Sequence, residues 1–273
     1  MRAIARALGI SRSNLINKLK APQPKTVKRQ GDEELLKKIH EVIETRKSYG
    51  YRRVSALING QMKKLGCPGV NRKRVYRLMK KSNLLLCRPF FKPQRSHTGK
   101  VHTLASNTRW CSDSFVIQCH NGDRVHVAFS LDTCDREVMR YVASTIGIDG
   151  QAIRDLMLET VEYRLGGPKV KDSIQWLTDN GSCYTARETV AFGRQLGLGI
   201  RTTPAYGSES NGMAESFVKT FKRDYVWLSD LKDARTVMGQ LAKWMEDYNE
   251  KAPHKALKML SPREFIRGQT QAG

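Results

Sequence analysis

Three acids, far apart in the chain, sit where carboxylates can gather at the edge of a sheet. Asp113 lies in Trp110-Cys111-Ser112-Asp113-Ser114-Phe115, a run of strand character. Asp179 follows the apolar run Trp176-Leu177-Thr178 and precedes Asn180-Gly181, a pair that favours positive φ and a sharp reversal. Glu215 stands in Ser210-Asn211-Gly212-Met213-Ala214-Glu215-Ser216-Phe217, where a helical pattern begins. Any one of them, taken singly, reads as a turn residue or a helix cap. Taken together, two strand acids and one helix acid can hold two divalent metal ions. Mg²⁺ prefers such hard oxygens and keeps several waters, so three carboxylates suffice. Two ions about 3.5–4 Å apart would suit phosphoryl transfer, because they activate the attacking oxygen, shield the phosphate and support the leaving oxygen.

The elements that must position these acids are legible from hydrophobic period. Strands are expected over Arg109–Gln118, over Arg124–Asp132 after the Asn121-Gly122 turn, and over 137–146, forming an antiparallel meander. A helix over 151–164, a short strand over 173–178, a helix over 185–196, a strand over 199–203 and a helix over 210–224 follow. A further helix over 233–248 leads into Pro253-His254-Lys255-Ala256-Leu257 and Leu260-Ser261-Pro262-Arg263-Glu264-Phe265. On the helix of Glu215, Lys219 and Lys222 fall at i+4 and i+7, one face, where they could meet DNA phosphates or simply form i,i+4 ion pairs. The preceding Gly/Ser-rich loop, 204–210, is expected to be mobile until DNA and metal bind. Asn180 either steadies Asp179 or serves the turn, and the turn is favoured. Asp132 and Asp135 are set aside as metal ligands, and His120, His126 and His254 as structural.

Net charge is +22, and its placement is uneven: the first 100 residues carry 26 Lys and Arg against 5 Asp and Glu. The remainder is nearly neutral, the pattern of a phosphate-binding module beside a neutral catalytic one. Residues 1–24 read as a partial helix-turn-helix or helical hairpin, broken at Gly9 and capped at Ser11 or Ser13. Residues 25–85 form a basic helix-turn-helix domain. In it Asp32 caps one helix, Tyr49-Gly50-Tyr51 interrupts, and Gly66-Cys67-Pro68-Gly69 stops a second. Asn71 caps a third helix in which Val75, Leu78 and Met79 point inward. Arg72, Lys73, Arg74, Arg77 and Lys80 make its basic exterior, able to enter a major groove. Residues 86–105 are a basic linker, and 106–270 the catalytic core with its helical tail.

Six cysteines show no metal-ligand or disulfide spacing. No run approaches the ~20 apolar residues of a membrane span and no signal peptide is visible, so a cytoplasmic, nucleoid-associated protein without a membrane partner is expected.

The acids, their order and the flanking motifs resemble the catalytic core of DDE transposases and retroviral-type integrases, in particular the OrfB half of two-frame, copy-out–paste-in bacterial insertion sequences. The motifs that carry the resemblance are Asp179-Asn180-Gly181-Ser182 and Asn211-Gly212-Met213-Ala214-Glu215-Ser216, with Tyr49-Gly50-Tyr51-Arg52-Arg53 and Asn71 to Met79 upstream. The resemblance spans about residues 32–267 and implies an α/β, RNase H-like mixed five-stranded sheet with flanking helices, preceded by an all-α helix-turn-helix region. It implies a transposase that recognises terminal inverted repeats, cuts a 3′ end and joins it to another strand through two Mg²⁺ ions, with Mn²⁺ as a substitute. Asp113 would bridge the ions, and Asp179 and Glu215 would each complete one. The partners implied are double-stranded DNA (ends and target), further copies of the chain on that DNA, and an upstream OrfA product, with Met1 an internal start in a longer polypeptide. Two departures stand out. Asp113 is followed by Ser114-Phe115 where the family often has an aliphatic residue and Thr, and the zinc-binding N-terminal pattern of retroviral integrases is missing. Two other functions fit the same chain: an RNase H-like nuclease that cuts without joining, and an end-binding regulator or inhibitor fragment without catalysis.

Overall fold

The computed structural model describes residues 2–9, 11–19, 31–87, 103–170, 173–203 and 211–270. The expected linker, 86–105, therefore lies largely outside the described residues, and the 204–210 loop wholly so. Two short helices, α1 (Arg2–Ala7) and α2 (Arg12–Leu19), come first, with Gly9 at φ 61 between them and the Ser11 Oγ accepting from the Asn14 N–H.

Helices α3 (Asp32–Thr45), α4 (Tyr51–Lys64) and α5 (Arg72–Lys81) follow. They share one apolar core of Leu35, Ile39, Val42, Val54, Ile58, Val75, Leu78 and Met79. These are the positions that helical period selects, so burial of one stripe from each helix holds the three together. Asn71 caps α5, its Oδ1 accepting from the Lys73 N–H at 2.8 Å. Asp32 departs from expectation. The N-cap of α3 is Gly31, in a left-handed conformation with φ 79, and Asp32 is the first helical residue. Its carboxylate reaches across to α5, where it receives Arg74 Nε at 2.7 Å and Arg77 at 2.6 Å. A glycine supplies the left-handed turn at little cost, which frees the aspartate for the ion pairs.

The second unit is built on a five-stranded sheet of order β3-β2-β1-β4-β5. Strands β1 (Arg109–Gln118), β2 (Arg124–Asp132) and β3 (Val138–Ser144) are antiparallel; β4 (Ile174–Thr178) and β5 (Leu198–Thr202) run parallel to β1. Alternating side chains send Trp110, Trp176 and Ala128 to one face. There they meet Ile153, Leu156, Met157 and Val161 of α6 (Gly150–Leu165) and Tyr184 of α7 (Ser182–Thr185). Cys111, Phe115, Phe129 and Leu177 face the other way. Those pack against Phe217 and Phe221 of α9 (Gly212–Asp224) and Leu241, Trp244 and Tyr248 of α10 (Ala234–Lys251). Helix α8 (Arg187–Gln195) and the closing helix α11 (Pro262–Thr270) complete the chain.

The helix expected over 185–196 is present as α8, but an unexpected helical turn, α7, precedes it, set apart by Ala186 at φ −53, ψ 134. One local expectation fails. Asn180-Gly181 makes no left-handed turn. Gly181 has φ −58, ψ 142 and serves as the N-cap of α7, so the chain leaves β4 directly into a helical turn. The tail is clipped to the sheet by Asn249. Its side chain bonds both the N–H and the carbonyl of Val138, at 2.9 and 2.8 Å, and so replaces a missing strand partner.

Candidate active site

Backbone register brings the two aspartates level. In the parallel ladder of β1 with β4, Arg109 faces Gln175 and Cys111 faces Leu177. Two residues further on stand Asp113, within β1, and Asp179, one position past the end of β4, and continued alternation would turn both toward the face covered by α9. Glu215 lies in the first turn of α9. The helix is held there by Phe217 and Phe221, whose rings pack on Phe129 and Phe115 with centroids 4.5 and 5.8 Å apart. Its start is tied to β1 by Asn211, which is buried and donates from Nδ2 to the Ser112 carbonyl at 3.2 Å, one residue before Asp113.

Each carboxylate rests on a local partner. Asp113 Oδ1 accepts from the Ser114 N–H at 2.7 Å, Asp179 Oδ1 from the Gly181 N–H at 2.9 Å, and Glu215 faces Lys219 at 3.7 Å. Gly181 makes room for this fit: a Cβ there would stand 3.0 Å from Asp179 Oδ1, so the carboxylate would have to shift. Asn180 serves neither of the roles anticipated for it. Its Nδ2 donates to the Thr203 carbonyl at 2.9 Å and ties the exit of β4 to the exit of β5. From the opposite face the Tyr184 hydroxyl meets Ser112 Oγ at 3.1 Å, propping β1 beside Asp113, and burial raises that phenol well above its ordinary value.

The Asp113 carboxyl is pushed up to about 6. Burial is the main cause, the Ser114 N–H opposes it, and the negative charges of Asp179 and Glu215 add to it. The three acids thus feel one another. Yet among the described residues no three His, Cys, Asp or Glu side chains are drawn together closely enough to hold a metal ion as they stand. Each acid instead turns to its own local donor, the Ser114 N–H, the Gly181 N–H or Lys219. The donor set itself, three carboxylates, fits a hard divalent cation, which would offset the part of the Asp113 shift that comes from Asp179 and Glu215.

The basic residues divide. Arg72, Lys73 and Lys80 lie exposed along α5, whereas Arg74 and Arg77 are engaged with Asp32. Lys219 is an i,i+4 partner of Glu215, and Lys222 leans over the Phe115 ring at 5.5 Å, where burial lowers its pKa. Asp132 and Asp135 are buried with Glu137 around the Arg164 guanidinium, and burial and Asp135 push the Asp132 carboxyl up. His254 packs edge-on to Tyr248, and burial drives its pKa down to about 3, so it is neutral. Tyr184 and the Asn211 tie were not visible as site supports in the sequence, because both act over contacts 72 and 99 residues apart.

Known proteins give independent comparisons. A family model described as an HTH-like domain matches residues 30–89, and two described as integrase core domain match 104–208 and 196–262. Transposase InsD for insertion element IS2A/D/F/H/I/K of Escherichia coli is 48% identical over 238 residues, covering 86% of this chain and 79% of the relative. Transposase InsD for insertion element IS2-9 of Escherichia coli strain K12 is likewise 48% identical, with 78% of its length covered. Among solved structures, a chain of the simian T-cell lymphotropic virus intasome in complex with PP2A regulatory subunit B56 gamma matches with TM-score 0.52 and 16% identity. That alignment covers 76% of this chain and 73% of the other. It shows the integrase-like, RNase H-like fold.

Proposed function

Since the chain belongs to the insertion-element transposases that combine an HTH-like region with an integrase core, we propose that it is a DNA transposase using Asp113, Asp179 and Glu215 to cut and rejoin DNA ends. The observation that carries this reading is the level placement of Asp113 and Asp179 on the sheet face where α9 presents Glu215. Two Mg²⁺ ions, or Mn²⁺ in their place, would supply an activated attacking oxygen, charge shielding at the phosphate and support for the departing 3′-oxygen. The chain's own residues set where this happens. Asp113, on the central strand and acted on by the charges of both other acids, would be the ligand shared between the ions. Asp179 and Glu215 complete the set from either side. Lys222, its stem over Phe115, can reach a phosphate beside the acids, and Lys219 becomes available once Glu215 turns from it toward the cation.

Recognition of the terminal repeats is assigned to α5, through Arg72, Lys73 and Lys80 on its exposed face, with Arg74 and Arg77 available only where DNA competes with Asp32. Transposition joins two ends, so more than one copy of the chain on DNA, acting with an upstream OrfA product, is part of the reading. The test uses duplex oligonucleotides carrying the element's terminal repeat, with Mg²⁺, and follows 3′-end nicking and joined product on a gel. Asp113→Asn, Asp179→Asn and Glu215→Gln should each lower both by at least about a thousandfold while end binding persists. Full joining activity in any one of the three removes that residue from the set.

A further inference from the structure

The helical unit and the core meet through two aspartates that neither chemistry nor helix stability explains. Asp224 is the last residue of α9, with its side chain fully buried. A carboxylate at a helix C-terminus opposes the helix dipole, and burying it costs more still. What compensates comes largely from the other unit: Arg53 of α4 binds Oδ2 at 2.6 Å, and Ser48 donates to Oδ1 at 2.7 Å. Arg223 adds a contact from within α9. The Arg53 guanidinium carbon lies over the buried Tyr49 ring, 3.5 Å from its centroid. A second bridge lies beside it, where Arg46 meets Asp247 of α10 at 2.6 Å and the Tyr225 hydroxyl donates to the same carboxylate at 3.0 Å.

These contacts join the ends of two structural levers. Helices α3 and α4 carry α5 through their common core and the Asp32 ion pairs. Helix α9 carries Glu215, nine residues or ~14 Å of helical rise from Asp224. We propose that Asp224 and Asp247 are positioning residues: they clamp the DNA-reading helices to the helix bearing Glu215, and so fix which phosphodiester, counted from the base pairs read by α5, meets the acids. The clamp is a contact of this fold whatever the chemistry; its role in choosing the cut site rests on the transposase reading above.

The test is a charge reversal at the less buried bridge, in the full chain: Arg46→Asp, Asp247→Arg and the double variant. Solution X-ray scattering should show the radius of gyration of each single variant rising by about a tenth and the double variant returning toward the parent. On a terminal-repeat duplex with Mg²⁺, the single variants should bind ends within about threefold of the parent. They should cut the native position at least tenfold less and spread products over neighbouring phosphodiesters, and the double variant should regather them. Single variants that keep the parental scattering profile and one cut position overturn the proposal. So does a loss of cutting with unchanged product positions that the double variant fails to restore. A parent chain that leaves the end uncut while scattering still reports opening and reclosure upholds the clamp and sinks the transposase reading instead.

Discussion

Replacing Asp113 by Asn should make the metal-free protein more stable while removing its chemistry. The carboxyl is raised from 3.8 to about 6 by burial and by the charges of Asp179 and Glu215. A group whose folded pKa is raised in this way costs nothing below 3.8, costs increasingly between the two values, and costs its full amount above 6. At 1.36 kcal/mol per pKa step the full amount would be ~3 kcal/mol, but Asp113 is only partly buried, and solvent screening leaves ~1–2 kcal/mol. Asparagine keeps the shape and drops the charge. At pH 7.5 in EDTA the variant should therefore melt about 2–8 °C above the parent. The gap should shrink as pH falls through 6 and vanish below 4. Adding Mg²⁺ should close it from the other side, because the cation stabilises only the parent. Thermal melts across pH 5–8, with and without Mg²⁺, read all of this directly. An Asn variant no more stable than the parent at pH 7.5, or a gap that does not move with pH, would falsify the claim that burial and the neighbouring acids together penalise the charged Asp113.

Gly181→Ala tests the fit at the second acid. Its φ of −58 suits any residue, so stability should hold or rise by about 0.5 kcal/mol, yet the new Cβ displaces Asp179 Oδ1, and end cutting should fall about tenfold. On α5, Lys73→Ala should leave the melting temperature alone, weaken DNA binding for all sequences and lower the salt slope by about one. Arg74→Ala should instead destabilise the helical unit by about 1–2 kcal/mol, since it strips a partner from Asp32; chemical denaturation separates the two variants. Burial raises the pKa values of Asp224 and Asp247, but their partners outweigh it and lower both: Arg223, Arg53 and the Ser48 hydroxyl for Asp224, and Arg46, the Tyr225 hydroxyl and Lys251 for Asp247. Depressed carboxyls hold their stabilisation above 3.8 and lose it below, so scattering should show the two units joined from neutral pH down to about 4 and parting only in stronger acid.

The strands were the most legible part of the chain. Arg109–Gln118 and Arg124–Asp132 match their expected bounds because alternation on a half-buried sheet is a two-residue signal, and Asn121-Gly122 marks the turn between them with Gly122 at φ 95. Asn71 as a cap was likewise local and visible. Asp32 and Asn180 were misjudged for one physical reason. Both are turn-forming residue types beside a turn, but their side chains are claimed by partners on other elements, Arg74 and Arg77 for the one and the Thr203 carbonyl for the other. The same holds at the site. Spacing and motif brought out the three acids, while Tyr184, Asn211 and the Asp224 bridge depend on tertiary approach that no local pattern encodes.

The Asn249 clip sets an order of events during synthesis. The helical core is complete by Met79, whereas β3 cannot satisfy its Val138 amide and carbonyl until residue 249 exists. A ribosome adding about 5–20 residues each second needs on the order of 10–30 s to cover that interval. During it, the nascent chain would carry a folded helical unit beside an unfinished sheet, so under the proposed function it could grip a nearby duplex before it could break one.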